Sequence, residues 1–301
     1  MSLLHSIGML CGAALLSAGP GTEPVYAVDL EPDVVYSTAE GYWSEAPDDF
    51  WGRLGLLFHR SDKRRPLDLK MDIYRPADDP SDKARPLLVM LHGGAYFIGH
   101  KTEPGQVEWC RYFASLGYVA VSVDYRMGYR MDKAHITRAE QEAVEDTEHA
   151  LKYLQDRDDL RIDWQQVYLA GTSAGATTAL SLAYGKPAAF GQIRAVANLW
   201  GYVHDLDLLQ NARIPILSYQ SEKDPVVPYR EGYPLNMRLL TEKAYGTRCV
   251  HEKALELGIP AEHHSTTEKR HKLHLDSHGA LTPLFYEIRD RMAAFFAAAG
   301  N

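Results

Sequence analysis

The chain has 301 residues, of which 46% are hydrophobic and 24% charged. That balance builds a globular core and excludes a disordered chain, a collagen-like repeat and a small disulfide-stapled scaffold. With 32 basic against 40 acidic residues the net charge is -8, which gives no general attraction to phosphate backbones and speaks against nucleic acid as a partner.

Residues 7–18 form a mostly apolar run too short to span a bilayer. The run suits the apolar centre of an export signal, and Val25-Tyr26-Ala27 offers a cleavage site. We therefore expect residues 1–27 to be removed, residues 28–301 to form one domain, and the protein to be secreted or periplasmic. Removal would take Cys11 with it and leave Cys110 and Cys249, either as a disulfide or as two separate thiols.

Residues 28–55 read as irregular, acidic and aromatic, with Tyr42, Trp43, Phe50 and Trp51 expected to pack over the domain. The basic run Lys63-Arg64-Arg65 reads as a solvated turn. Leu67, Leu69, Met71 and Ile73 alternate with polar residues, the period of a half-exposed antiparallel strand. The apolar runs at 87–91 and 119–123 predict strands buried on both faces. A helix is expected over 104–116, stopped by Gly117, and another over 138–155. A short strand at 167–170 and a helix over 174–184 follow, then strands at 196–200 and 216–219. Residues 235–257 read as mostly helical, 261–267 as a last strand placed by order, and 284–298 as a closing amphipathic helix. This alternation predicts an α/β fold with a mostly parallel central sheet, helices on both faces and no large cap domain. Sites in such folds form at the carboxyl ends of the strands.

Gly171-Thr172-Ser173-Ala174-Gly175 stands between a strand and a helix, a G-x-S-x-G turn that raises its serine above the sheet. His92-Gly93-Gly94-Ala95 follows another buried strand. Two adjacent glycines there free backbone N–H groups to stabilise an oxyanion, so Gly93, Gly94 and Ala174 are the expected donors, and His92 is structural. A serine nucleophile needs a base, and the base an orienting carboxylate. Asp224 lies just past the strand at 216–219, held extended by Pro225, and is preferred over Glu222, Asp205 and Asp207. Three histidines compete for the base: His278, before the closing helix with Gly279 behind it, is the assignment, and His271 and His274 are the alternatives. Neither these histidines nor His263-His264 show metal-ligand spacing, and no cofactor is called for.

With these motifs the chain resembles the α/β-hydrolase superfamily, and within it esterases whose oxyanion motif begins His-Gly-Gly. The stretches carrying the likeness are HGGAYFIGHK at 92–101, VSVDYRMG at 121–128, GTSAG at 171–175, KDPVVPY at 223–229 and the pair His278-Gly279, over about residues 66–298. Ala95 departs from a third glycine, and the spacing from Gly258 fits His271 better than His278. The resemblance implies a serine carboxylesterase of the hormone-sensitive-lipase or feruloyl and acetyl xylan esterase type. Ser173, His278 and Asp224 would then be the triad, short-chain or carbohydrate-linked acyl esters the substrates, and Asp124 and Arg126 buried supports. Peptidases and amidases use the same triad on this fold, but with a large extra domain for which this chain has no room. A non-catalytic relative would be expected to lack Ser173 or Asp224. The export reading predicts that N-terminal sequencing of secreted protein begins at Val28; Met1 in exported material contradicts it.

Overall fold

The two apolar runs read as buried strands occupy the middle of the sheet. The structure is a computed structural model, and it describes residues 24–45, 64–77, 81–185 and 191–300. Eight strands form the main sheet: β1 (Val28–Gly41), β2 (Arg65–Pro76), β3 (Arg85–Leu91), β4 (Val119–Val123), β5 (Ile162–Thr172), β6 (Ile193–Leu199), β7 (Ile216–Ser221) and β8 (Ala261–Thr266). Their order is β1-β2-β4-β3-β5-β6-β7-β8. Strand β2 runs antiparallel to both β1 and β4, and every pairing from β4 to β8 is parallel.

Among the described residues five helices cover this sheet: α1 (Pro104–Ser115), α2 (Lys133–Gln155), α3 (Ala174–Gly185), α4 (Thr247–Glu256) and α5 (Pro283–Gly300). Strand residues alternate between two cores. Leu87, Val89, Leu91, Val121 and Leu169 face α2 and α3, whereas Leu88, Met90, Ala120 and Ala170 face α1 and α5 through Trp109, Phe113, Ile288 and Phe296. Burial on both faces is why these strands lack a two-residue period.

Three expectations need correction. Residues 28–41 are not irregular; they form the long edge strand β1. Pro32, Asp33 at φ 54° and a register shift between Glu31 and Val34 interrupt its alternation, and few of its side chains are buried. Bulged, Pro-containing sequence is tolerated at an edge and hides its strand character. Likewise, residues 235–257 are helical only over Thr247–Glu256. Before it stand a one-turn helix, Pro234–Asn236, and a three-stranded antiparallel patch made by Tyr202–Val203, Glu231–Gly232 and Ala244–Gly246. The apolar residues there do not share a buried face: Leu239 is 90% exposed. Helix α2 also starts earlier than expected, because the Asp132 carboxylate accepts the His135 N–H and caps it.

Other expected features can be placed in the packing. Trp43 donates its indole N–H to the Phe97 carbonyl at 3.0 Å and packs edge-on against the Phe97 ring; Phe50 and Trp51 lie outside the described residues, as does the apolar run at 7–18. Val25 and Tyr26 both donate N–H groups to the Ser115 carbonyl, and Arg85 sits over the Tyr26 ring, so cleavage after Ala27 would remove these contacts. Cys110 and Cys249 are free thiols rather than a disulfide, one buried on α1 and one half-buried on α4. Among the described residues no helix is long and apolar enough to cross a membrane, and no His, Cys, Asp and Glu group is arranged to hold a metal.

Beneath the strand ends lies a belt of buried charge. Lys101 reaches Asp72 at 2.8 Å and Asp33 at 2.9 Å, while its backbone N–H donates to Asp124. Arg126 holds the fully buried Asp146 at 2.7 Å and also reaches Glu145. Both Asp124 and Arg126 are thus supports, as expected. Breaking such a buried pair strands an unpaired charge and costs about 3–5 kcal/mol. Arg126→Met is therefore expected to lose about that much in urea unfolding; a loss below about 1 kcal/mol would show that the pair carries no stability.

Candidate active site

Strand β5 ends at Thr172, and the backbone turns at Ser173, whose φ of 51° lies in the left-handed region. A non-glycine residue held there is strained, and such strain marks positions whose side chain must be aimed. Two bonds hold the turn: the Ser173 N–H donates to the Leu199 carbonyl at 2.8 Å, and the Thr177 N–H returns to the Ser173 carbonyl. A β-carbon on Gly175 would meet the Leu91 carbonyl oxygen at 2.2 Å, so only glycine lets α3 start this close to β3.

The structure brings Ser173, Asp224 and His271 together. The Ser173 hydroxyl lies 2.8 Å from His271 Nε2, and His271 Nδ1 lies 2.8 Å from Asp224 Oδ2. The Asp224 carboxylate is fully buried and also accepts the N–H groups of Val226 and Val227. This is the geometry for general-base activation of a serine hydroxyl: a base within hydrogen-bond reach, oriented from behind by a carboxylate.

His278 does not join them, and the assignment of the base moves to His271. The connection from β8 to α5 crosses the strand ends at residue 271, dips into the core with Leu273, His274 and Leu275, and then returns to the surface. His278 sits in that outer turn, exposed, with its backbone N–H on Asp276; a bridge between Leu275 and Leu281 closes the turn. His271 falls in a charged run, which made it read as solvated, but the crossing tucks its ring to 14% side-chain exposure. His274 is buried between the indoles of Trp109 and Trp200, each 5.2 Å away, and burial pushes it down to about 3, so it stays neutral.

Gly93 and Gly94 follow β3 beside the serine. Gly94 has φ 115°, and a β-carbon there would lie 1.8 Å from the Ile98 carbonyl oxygen, so the tight turn requires glycine. Ala95 and Tyr96 continue the turn with φ of 55° and 59°. Among the described residues, no backbone carbonyl takes the Gly93 or Gly94 N–H. Ala174 is the first residue of α3, where an N–H lacks an intrahelical acceptor. These are the three donors expected around an oxyanion. Beneath them His92 is buried, stacked on Tyr125 at 4.3 Å and bonded through Nδ1 to the Gly93 carbonyl; burial pushes it down to about 4. It braces the loop, as expected.

A cavity of about 470 Å³ opens above the serine. Phe97, Ile98, Tyr129, Met131, Trp200, Val226 and Leu235 make its walls largely apolar, with Glu103 and Lys272 among its polar lining. Residues 128–137 and 229–250 supply Tyr129, Met131 and Leu235 to these walls. Sequence reasoning missed Tyr96, whose hydroxyl donates to the Ala174 carbonyl at 2.9 Å, and Trp200, at φ 52° directly after β6. The position of Trp200 past a strand's carboxyl end was the available signal.

The family model described as BD-FAE matches residues 71–195, which takes in the Gly93-Gly94 loop and Ser173 but stops before Asp224 and His271. Among curated proteins the chain is 31% identical over 135 residues to the non-reducing polyketide synthase Preu3 of Preussia isomera, covering 44% of this chain and 5% of that one. Over 147 residues it is 31% identical to methylphloroacetophenone synthase of Cladonia uncialis, covering 46% and 5%. The chain thus spans about a twentieth of the length of these relatives. Among solved structures, esterase B from Lactobacillus rhamnosis, inhibited by a tributyrin phosphonate, aligns with TM-score 0.56 at 15% identity over 91% of this chain and 86% of that one. Esterase 2 of Thermogutta terrifontis aligns with TM-score 0.56 at 21% identity over 77% and 90%. These likenesses carry the fold, and with the sheet order above they show that the chain has the α/β-hydrolase fold.

General-base assistance contributes about 10²–10⁴-fold to such reactions. His271→Ala is accordingly expected to slow labelling of Ser173 by a fluorophosphonate at least about 100-fold, while His278→Ala labels at the wild-type rate. The opposite pattern would return the base to His278.

Proposed function

We propose that the protein is a serine esterase that cleaves short-chain or carbohydrate-linked acyl esters through an acyl-enzyme. The observation that carries this reading is the unbroken contact from Ser173 to His271 to Asp224 at 2.8 Å per step, opening on a largely apolar cavity flanked by free backbone N–H groups. In the first half-reaction His271 Nε2 takes the hydroxyl proton as Ser173 Oγ attacks the ester carbonyl. The carbonyl oxygen becomes an oxyanion on the N–H groups of Gly93, Gly94 and Ala174. Each such donor contributes about 3 kcal/mol of transition-state stabilisation. Collapse of the intermediate expels the alcohol, which receives the proton from His271, and leaves an acyl group on Ser173. Water, deprotonated by His271, then releases the acid. Asp224 holds the imidazole in the required tautomer and balances the imidazolium formed in each half.

The cavity volume lies toward the small end of the range for ligand pockets, and it must hold the acyl group and the alcohol together. That supports short acyl chains. The BD-FAE match supports an ester reaction, and the reading of residues 1–27 as an export signal supports a secreted or periplasmic setting. The test is turnover of p-nitrophenyl esters from acetate to palmitate, with methyl ferulate, acetylated xylan and a p-nitroanilide alongside. Short esters are expected to turn over fastest, with Ser173→Ala reducing the rate at least about a thousandfold. A folded wild type that cleaves the anilide and none of the esters would replace this reading by an amidase.

A further inference from the structure

Behind Asp224 the hydrogen bonds continue in one direction. Gln220, fully buried near the end of β7, places its Nε2 3.3 Å from Asp224 Oδ2 and 3.0 Å from the Val227 carbonyl. Its Oε1 accepts from Thr247 twice, from the hydroxyl at 2.8 Å and from the backbone N–H at 3.2 Å. The Thr247 hydroxyl in turn lies 3.0 Å from His263 Nε2.

Partner chemistry fixes every orientation in this chain. A carboxylate and a carbonyl can only accept, so the NH₂ of Gln220 faces Asp224 and Val227. A backbone N–H can only donate, so the amide oxygen faces Thr247. With its proton given to Gln220, the Thr247 hydroxyl must accept, which puts a proton on His263 Nε2. Burial holds His263 down to about 4, so that ring is neutral with one fixed tautomer. Thr247 is the first residue of α4, and no side chain caps that helix; Gln220 takes one of its orphan N–H groups. The rigid end of a ten-residue helix therefore grips one side of the amide, and the other side grips the acid loop.

We propose that Gln220 is a positioning residue of the triad: its amide ties the start of α4 to Asp224 and sets the angle at which the carboxylate meets His271. The Val226 and Val227 N–H groups hold Asp224 Oδ1, whereas Gln220 holds Oδ2, the oxygen nearest His271 Nδ1, so without the amide the carboxylate could pivot about Oδ1 and misalign the base toward Ser173. The role rests on the esterase reading above. It is distinct from the triad itself, because Gln220 does not line the cavity and its hydrogen bonds run to Asp224, Val227 and Thr247 rather than to Ser173 or His271.

The test uses Gln220→Leu, which keeps the bulk and removes both polar ends, and Thr247→Val, which removes only the hydroxyl. Steady-state turnover of p-nitrophenyl acetate is measured with the proton resonance of the His271 Nδ1–H bonded to Asp224. Gln220→Leu is expected to lower kcat about 10–100-fold, the scale of a small misplacement of a reacting group, with KM within about twofold of wild type. Thr247→Val is expected to lower kcat about 3–10-fold, as the amide stays but its anchor weakens. In both variants the Nδ1–H resonance shifts. Should Gln220→Leu fail to fold, Thr247→Val decides by the same three readings. A kcat within about twofold of wild type in a folded variant, or a fall in kcat with the resonance unmoved, overturns the proposal. A wild type that turns over no ester overturns the esterase reading instead, and the resonance still reports whether Gln220 orients Asp224.

Discussion

Between the end of β3 and the start of α3 there is no room for a side chain. A β-carbon on residue 175 would lie 2.2 Å from the Leu91 carbonyl oxygen and 2.5 Å from that of His92. This close approach ties the serine turn to the Gly93-Gly94 loop, because both leave adjacent parallel strands at the same edge. Parallel strands end side by side, so their following loops meet. Ser173 can then sit at φ 51° with its hydroxyl raised, the strain being held by the bonds from Ser173 to Leu199 and from Thr177 to Ser173. The placement of Gly93 and Gly94, of Ser173 and of the wall residue Trp200 follows from that one contact and the strand order.

The site is assembled on polar groups that are themselves buried and partnered. Lys101 with Asp72, and Arg126 with Asp146, lie under the strand ends. Asp124 accepts the Lys101 N–H, and the Tyr125 hydroxyl donates to the His92 carbonyl, so the loop that carries Gly93 is pinned from below. Gln220 does the same for the acid loop from the other side of the serine. Buried charges and amides are costly to desolvate unless paired; the Lys101–Asp72 and Arg126–Asp146 pairs and the Gln220 amide meet that condition. Above this polar belt the cavity is apolar, which suits an ester better than a charged substrate and strengthens the dipoles aimed at a developing oxyanion.

Much of this was legible in the residues. The runs at 87–91 and 119–123, the Gly93-Gly94 pair, the Ser173 turn and Asp224 each carry a local signature, because each depends on contacts within a few residues of itself. The edge strand β1 was not legible: Pro32 and Asp33 break its period, and its partners on β2, from Gly41↔Arg65 to Val28↔Pro76, are not its neighbours in sequence. The stretch at 235–246 misled in the opposite sense, since its leucines suggested a helix face, while Leu235 and Asn236 adopt left-handed backbone and Leu239 points outward.

The base shows where the boundary lies. The sequence by itself determined the layering of the domain, the turn at Ser173, the Gly93-Gly94 loop and the position of Asp224 past a strand end, since periodicity and turn chemistry are written in neighbouring residues. It offered three histidines within eight positions, and no local rule separates them. Only the tertiary structure decided, because the choice depends on where a loop without secondary structure crosses the sheet edge. That crossing is set by the burial of Leu273, His274 and Leu275 beneath it and by the reach of Asp224 from β7. His271 is brought to Ser173 across ninety-eight positions of sequence, and Thr247 reaches Gln220 by the same kind of long-range packing.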